Sequence, residues 1–231
     1  MAVPFRVGET LTFDVAWSGY LIAGSAVSRV VEKRQSYNSQ AYYLVADGRP
    51  LPIIARLYPL YYKMDSLFDS FTALSQRTSL YQEEGDRKRY LSTLFNRPAR
   101  RAVVERQEDP TAKTEVEVPT DAQDGLALLY ALRTRSFKTG DHIAFPVVDE
   151  GTVYSVSFDV GAPEIVKVPF GPIDAWNLRI NITDANKQPV GKNIGVWLSN
   201  DARRLPVKLQ ADLPVGAFVL ALRTVQSPAS R

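Results

Sequence analysis

The residues with the most chemical potential lie between positions 87 and 106, where Arg87, Lys88, Arg89, Arg97, Arg100, Arg101 and Arg106 are interleaved with Tyr90 and Phe95. Arginine forks match phosphate and carboxylate geometry, so such a stretch could receive a phosphate-bearing lipid headgroup, an acidic glycan or a nucleic-acid backbone. Alternation along a strand sends neighbouring side chains to opposite faces, which divides the cluster. The reading favoured is therefore a solvated hairpin whose arginines pair with Glu83, Glu84, Asp86 and Glu105. As a ligand-binding set the sequence offers Tyr62, Arg87, Arg89, Tyr90, Arg100 and Arg101. Tyr58, Tyr61, Tyr81 and Trp176 add apolar bodies with polar tips, which suit the mouth of a cavity and a barrel wall equally.

Acid–base, metal and nucleophile chemistry find less support. Asp65 and Asp69 share a strand face but lie about 13 Å apart by strand rise. Glycosidase carboxyl pairs need roughly 5 to 9.5 Å. A cross-strand acid such as Glu83 or Asp159 could give a closer pair, although aspartates of this kind are expected to balance arginines. His142 is the one histidine, too few for a multi-histidine metal site, and no Gly-x-Ser-x-Gly elbow accompanies it. It is expected to be a structural residue beside a turn. With no cysteine, disulfides, thiolate metal sites and cysteine nucleophiles are excluded. No catalytic residue, metal or cofactor is expected. The balance of 28 basic against 25 acidic residues, a net charge of +3, does not call for a polyanion, so nucleic acid is not an expected partner.

These groups must be positioned by strands and one helix. Asp124 to Gly140 is the long segment unsuited to a strand: Asp121 and Asp124 can cap a helix start, Lys138 and Gly140 supply stop signals, and Leu126, Leu128, Leu129, Tyr130 and Leu132 surround most of the circumference. A helix over 124–138, buried on several sides, is expected. Before it, Leu11, Phe13, Val15 and Trp17 alternate with Thr10, Thr12 and Asp14 as a half-buried strand. Further strands are expected over 20–31, 42–46, 61–70, 73–83, 88–95 and 102–105. A polar turn over 34–40, a hairpin at Glu84-Gly-Asp86 and a polar loop over 107–120 separate them. Pro50, Pro52 and Pro59 enclose a short helix or turn with Ile53, Ile54, Leu57 and Tyr58. After the helix, strands over 143–148, 153–160, 165–168, 175–183, 191–198, 205–211 and 216–225 form a meander. In the 196–208 stretch, Pro206 needs an edge or bulge, and Arg203 and Arg204 can pair with Asp201 or meet the helix's C-terminal carbonyls. The expected architecture is one β-rich domain over 1–231: a strongly curved antiparallel sheet or open β-barrel, with the helix packed in its concave side.

Three stretches, Gly8-Glu-Thr-Leu-Thr-Phe-Asp-Val15, Asp124 to Gly140 and Val196-Trp-Leu-Ser-Asn-Asp-Ala-Arg-Arg-Leu-Pro-Val-Lys208, resemble in order and separation the bacterial exported proteins grouped as domain-of-unknown-function family 3108. The resemblance covers essentially the whole chain. It implies a periplasmic or exported protein with a fold similar to that of YmcC, and it brings no catalytic residues. Met1-Ala-Val-Pro-Phe-Arg6 lacks the apolar core of a signal peptide, which fits either a cytoplasmic protein or a mature chain with its leader removed, and the resemblance implies the second. No apolar run approaches the roughly 20 residues that span a bilayer. The function expected is binding of an amphiphile, a glycan or an envelope protein without catalysis. The alternative is a hydrolase or lyase acting on an envelope polymer through a carboxylate pair.

Overall fold

The computed structural model describes residues 2–18, 21–56, 59–107, 109–213 and 216–228. Leu57 and Tyr58 lie outside the described residues. The elements in chain order are β1 (Thr10–Trp17), β2 (Leu21–Ser36), β3 (Ser39–Pro50), α1 (Pro52–Ala55), β4 (Leu60–Asp69), β5 (Ser75–Glu84), β6 (Arg87–Asn96), β7 (Arg101–Arg106) and β8 (Asp109–Glu117). Then come α2 (Gly125–Arg133), β9 (His142–Asp149), β10 (Thr152–Val168), β11 (Gly171–Thr183), β12 (Lys192–Ser199), β13 (Pro206–Leu213) and β14 (Gly216–Gln226).

All these strands join one antiparallel sheet. β1 to β8 form one meander, β9 to β14 a second, and the β1–β14 ladder joins them. The two edges are therefore β8 and β9, which are consecutive strands in the chain yet do not pair, so the sheet is not closed into a barrel. The segment between them stitches to one edge: Gln123 N donates to Pro146 O at 2.9 Å, and Val148 N donates to Gln123 O at 2.8 Å. Beneath it Phe95 of β6, Ala102 of β7, Val118, Ala122 and Val148 of β9 share one buried cluster. The edges thus approach each other across packed side chains without a ladder between them.

α2 is the element that both meanders need. Asp124 caps it, Oδ1 accepting from Ala127 N at 2.9 Å, as a short acceptor should at a helix start. Leu126, Ala127, Tyr130 and Ala131 pack with Phe5, which precedes β1, and with Val30, Leu44 and Phe68 of the first meander. Leu128 and Leu132 pack with Phe145, Phe158, Leu178, Val196 and Leu198 of the second. Each fully buried leucine here contributes about 1.5 to 3 kcal/mol.

Four expectations are corrected. The helix stops at Arg133, not 138, because Thr134 and Arg135 already bond to carbonyls three residues back, Ala131 O and Leu132 O. Lys138 and Gly140 instead build the turn into β9, where Lys138 N donates to Asp141 Oδ2 at 2.8 Å and Gly140 has φ +90°. The 107–120 loop holds strand β8, which pairs with β7 from Arg101↔Glu117 to Arg106↔Asp109. The 34–40 turn contracts to Tyr37-Asn38, both at positive φ, the geometry that a two-residue hairpin requires. Finally, 153–160 and 165–168 are one long strand, β10, with a register shift between Val160 and Pro163. Pro206 stands at the β12–β13 register shift, where its missing donor is tolerated.

Candidate functional site

The six residues singled out for ligand binding do not form one surface. Tyr62, Gln82 and Arg89 are lateral neighbours across β4, β5 and β6, and Gln82 Nε2 donates to Tyr62 OH at 3.0 Å. Arg89 pairs with Glu150 of the β9–β10 turn at 2.7 Å. Arg87 begins β6, opposite Glu84. Tyr90 alternates to the other face, where its hydroxyl accepts from Arg77 Nη2 at 3.4 Å. Arg101 lies 3.6 Å from Glu115 on β8, and Arg100 sits in the β6–β7 turn at φ +53°. Of the acids expected to pair with this stretch, Glu83 pairs with Lys88, whereas Glu105 pairs with Lys113 of β8. Arg97 serves the fold. Its guanidinium donates to the carbonyls of Thr120, Ala122 and Ser75, tying the segment before α2 to the first meander.

Near Glu150 and the start of α2 lies a cavity of about 30 Å³, lined by Met64, Leu80, Leu91, Thr93, Asp124 and Asp149 among others. It has room for about one water molecule and none for a lipid chain. Burial pushes the Asp149 carboxyl pKa up, helped by the neighbouring charge of Glu150 and opposed by Arg89. Burial likewise raises that of Asp124, against hydrogen bonds from Ser66 and Ala127.

A larger concavity, of about 460 Å³, lies on β11 to β14. Leu178, Ile180 and Val196 pack toward α2 in the core, so the alternating residues Asn177, Arg179, Asn181, Gly195 and Trp197 belong to the opposite face. Arg179 is in register with Gly195, and Gly195 with Gln210. The missing side chain in the middle of that row opens the groove. A Cβ at Gly195 would come within 3.2 Å of the Trp197 ring, so the glycine also makes room for the indole. Trp197 is buried, with Lys208 Nζ 4.3 Å from its ring centroid and Nε1 donating to Glu164 at 2.6 Å. It therefore supports the floor and offers no open stacking face. Asn193 donates to Asp212 at the far side. Next to the groove Asp159 accepts from Asn181 at 2.9 Å and contacts His142 Nδ1 at 2.7 Å, which orients the imidazole. The hydrogen bond from His142 is the main cause of the lowered Asp159 pKa.

The sequence from residue 12 to residue 223 matches the family model described as protein of unknown function (DUF3108). The chain belongs to this family. Among solved structures, this DUF3108 member is similar to a β-barrel-like protein of the DUF1849 family from Brucella abortus, with TM-score 0.63, 11% identity, and 98% of this chain and 100% of that one covered. At that identity the likeness concerns the fold alone. Two further structures were found. One is a proposed exported protein with a YmcC-like fold from Bacteroides fragilis, with TM-score 0.40, 7% identity, and 97% and 98% covered. The other is a proposed lipoprotein from Parabacteroides distasonis, with TM-score 0.39, 8% identity, and 97% and 98% covered. No curated protein matches the chain.

In this DUF3108 chain the aspartates considered for acid–base work are occupied by hydrogen bonds, not by the arginines expected. Asp65 accepts from Ser79 at 2.6 Å. Asp69 accepts from the backbone of Phe71 and Thr72 and from Gln76. Among the described residues no cluster of three or more acids and histidines is arranged to hold a metal ion. Sequence reasoning missed the groove. Its available signals were the amide–arginine–amide series Asn177, Arg179, Asn181 at strand period and a glycine at 195 inside a strand.

Proposed function

We propose that this chain is an exported, non-enzymatic protein of the bacterial envelope that binds a glycan along the β11–β14 groove. The observation that carries this reading is the groove's lining: Asn177, Arg179, Asn181, Asn193 and Gln210 line one concavity, the amides of Asn181, Asn193 and Gln210 each giving one N–H to a neighbour within the protein. Amides offer a donor and an acceptor side by side, as vicinal sugar hydroxyls do. In this reading α2 fills the concave side of the sheet, which leaves the opposite face for the ligand. An amphiphile would need an interior space well above the 30 Å³ near α2.

The test is saturation-transfer NMR and calorimetry on the full chain with oligosaccharides released from peptidoglycan and from lipopolysaccharide. One of the two sets is expected to bind, and Asn181→Ala or Gln210→Ala to weaken binding about 2- to 10-fold each, as loss of one net hydrogen bond implies. Absence of binding to both sets would overturn the glycan assignment. Cleavage of the bound sugar would overturn the non-enzymatic one and favour the hydrolase or lyase reading.

A further inference from the structure

The β11–β14 groove contains one charge that the protein leaves unanswered. Arg179 is the one cation among the described residues that line it, and it is exposed. Its direct cross-strand neighbour on β10 is Asp159, the place where an opposite charge ordinarily closes a pair. Asp159 is turned elsewhere: Oδ1 contacts His142 Nδ1 at 2.7 Å, and Oδ2 accepts from Asn181 Nδ2 at 2.9 Å. Both carboxylate oxygens are thereby engaged. Asp159 pairs with His142, and among the described residues no acid pairs with Arg179. The charge of Arg179 is accordingly the smallest of the influences that lower the Asp159 pKa.

On its other side Arg179 meets Gly195, which has no side chain, and beyond it in the same row comes Gln210. Two strand spacings, about 9 to 10 Å, separate the backbones of Arg179 and Gln210 across this notch. The acid of the lining, Asp212, lies two residues along β13 from Gln210 and accepts from Asn193. Strand rise and spacing place its backbone roughly 12 Å from that of Arg179. Glu164 accepts from Trp197 Nε1 and Asn177 Nδ2. Each acid near the groove thus receives N–H donors from within the protein, while the N–H fork of Arg179 is left for an acceptor from outside.

We propose that the glycan bound in this groove is acidic, and that Arg179 receives its oxyanion, a carboxylate or a phosphate, in the notch over Gly195. The inference rests on the glycan reading and narrows it. A guanidinium fork takes two oxygens of either group side by side, and a neutral sugar offers no such pair of charged acceptors. Arg179 selects the ligand by charge, and the amides around it serve the neighbouring hydroxyls. Because the guanidinium is exposed, the attraction is screened by salt.

The test compares charged and neutralised forms of the same saccharide by calorimetry on the full chain. Peptidoglycan saccharides stripped of peptide are used with their lactyl carboxylates free and as methyl esters. Lipopolysaccharide core saccharides are used intact, dephosphorylated and carboxyl-reduced. Neutralising the oxyanion is expected to weaken binding to the wild type about tenfold or more, and the form that shows the loss tells carboxylate from phosphate. Arg179→Gln should bind charged and neutralised forms alike, at the wild-type affinity for the neutralised one and with unchanged circular dichroism. Arg179→Lys should keep part of the preference, having the charge without the fork. Raised salt should weaken binding of the charged form alone. A saccharide bound equally in charged and neutralised forms would overturn this inference and leave the glycan reading standing, as would an equal loss of both forms in Arg179→Gln. No binding of any saccharide would remove the glycan reading and this inference with it.

Discussion

Asp124 shows how a single side chain can be both necessary and costly. It caps α2, accepts from Ser66 Oγ at 2.6 Å, and its own N–H donates to Ser75 Oγ at 2.9 Å. Burial raises its pKa, which means the fold penalises the ionised form and that stability falls as pH rises through the raised value. Asparagine keeps an acceptor for Ala127 N and carries no charge. At pH 7, Asp124→Asn should therefore match or exceed the wild type in urea unfolding, while Asp124→Ala should lose about 1 to 2 kcal/mol. Equal losses in both variants would show that the charge itself is needed. Asp69 has the opposite sign. Burial pulls its pKa up, but hydrogen bonds from Ser39, Thr72, Phe71 and Gln76 together outweigh it and hold the carboxyl below its ordinary value. Its contribution is complete above the unfolded value of about 4 and is lost as pH falls from there through the lower folded value. The stability gap between wild type and Asp69→Asn, followed by urea titration at several pH values, should be constant above that range and close below it.

At the scale of elements, α2 is held at both ends and on two sides. Its last residue, Arg133, is fully buried and makes two hydrogen bonds to Glu9, at 2.6 and 3.0 Å, between the rings of Phe5 and Tyr130. Beyond it, Arg204 Nε reaches Arg135 O at 3.4 Å, two residues past the helix end, while Arg203 pairs with Asp201, so of the two roles expected of this arginine pair the pairing with Asp201 is the one present. Removing one member of a buried pair strands the other, so Glu9→Ala should cost about 3 to 5 kcal/mol, and Glu9→Leu with Arg133→Met should recover most of it. Failure of the double variant to recover, in the same unfolding assay, would mean that the pair stabilises beyond its own charges. The start of α2 was legible because Asp124 is a local signal. Its end was not, because Phe137 joins the core from outside the helix and prolongs the apolar pattern. β8 was illegible for the converse reason: Thr114, Glu115 and Glu117 are exposed, and Val116 alone adds a partly buried residue to the strand's second half. The alternation of Leu11 and Phe13, and the Glu84-Gly-Asp86 turn with Gly85 at φ +59°, were readable in place. The groove needs the lateral register of four strands, and Arg89 meets Glu150 from 61 residues away. The groove's lining left a local trace in Asn177, Arg179, Asn181 and Gly195, but the register that assembles it and the Arg89–Glu150 pair left none.

For the whole molecule, the consequence of this topology is mutual dependence of the two meanders. Each presents an apolar face to α2: Val30, Leu44 and Phe68 on one side, Phe145, Phe158 and Leu178 on the other. They meet again at β1–β14, a ladder between the two ends of the chain, running from Thr10↔Gln226 to Trp17↔Phe218. A half made alone would leave one strand edge unpaired at that ladder and an apolar sheet face open to water, which favours aggregation over a stable fold. The first meander, residues 1–120, and the remainder, 121–231, should therefore each lack a cooperative thermal transition when expressed separately. Refolded together, they should regain one transition that coincides by circular dichroism and tryptophan fluorescence. The β1–β14 ladder and the two faces of α2 are intact in that mixture, and the cut falls between β8 and β9, which do not pair in the whole chain. A cooperative transition in either half alone would show that the shared sheet joins two independently stable units, and would limit the role of α2 to the half that contains it.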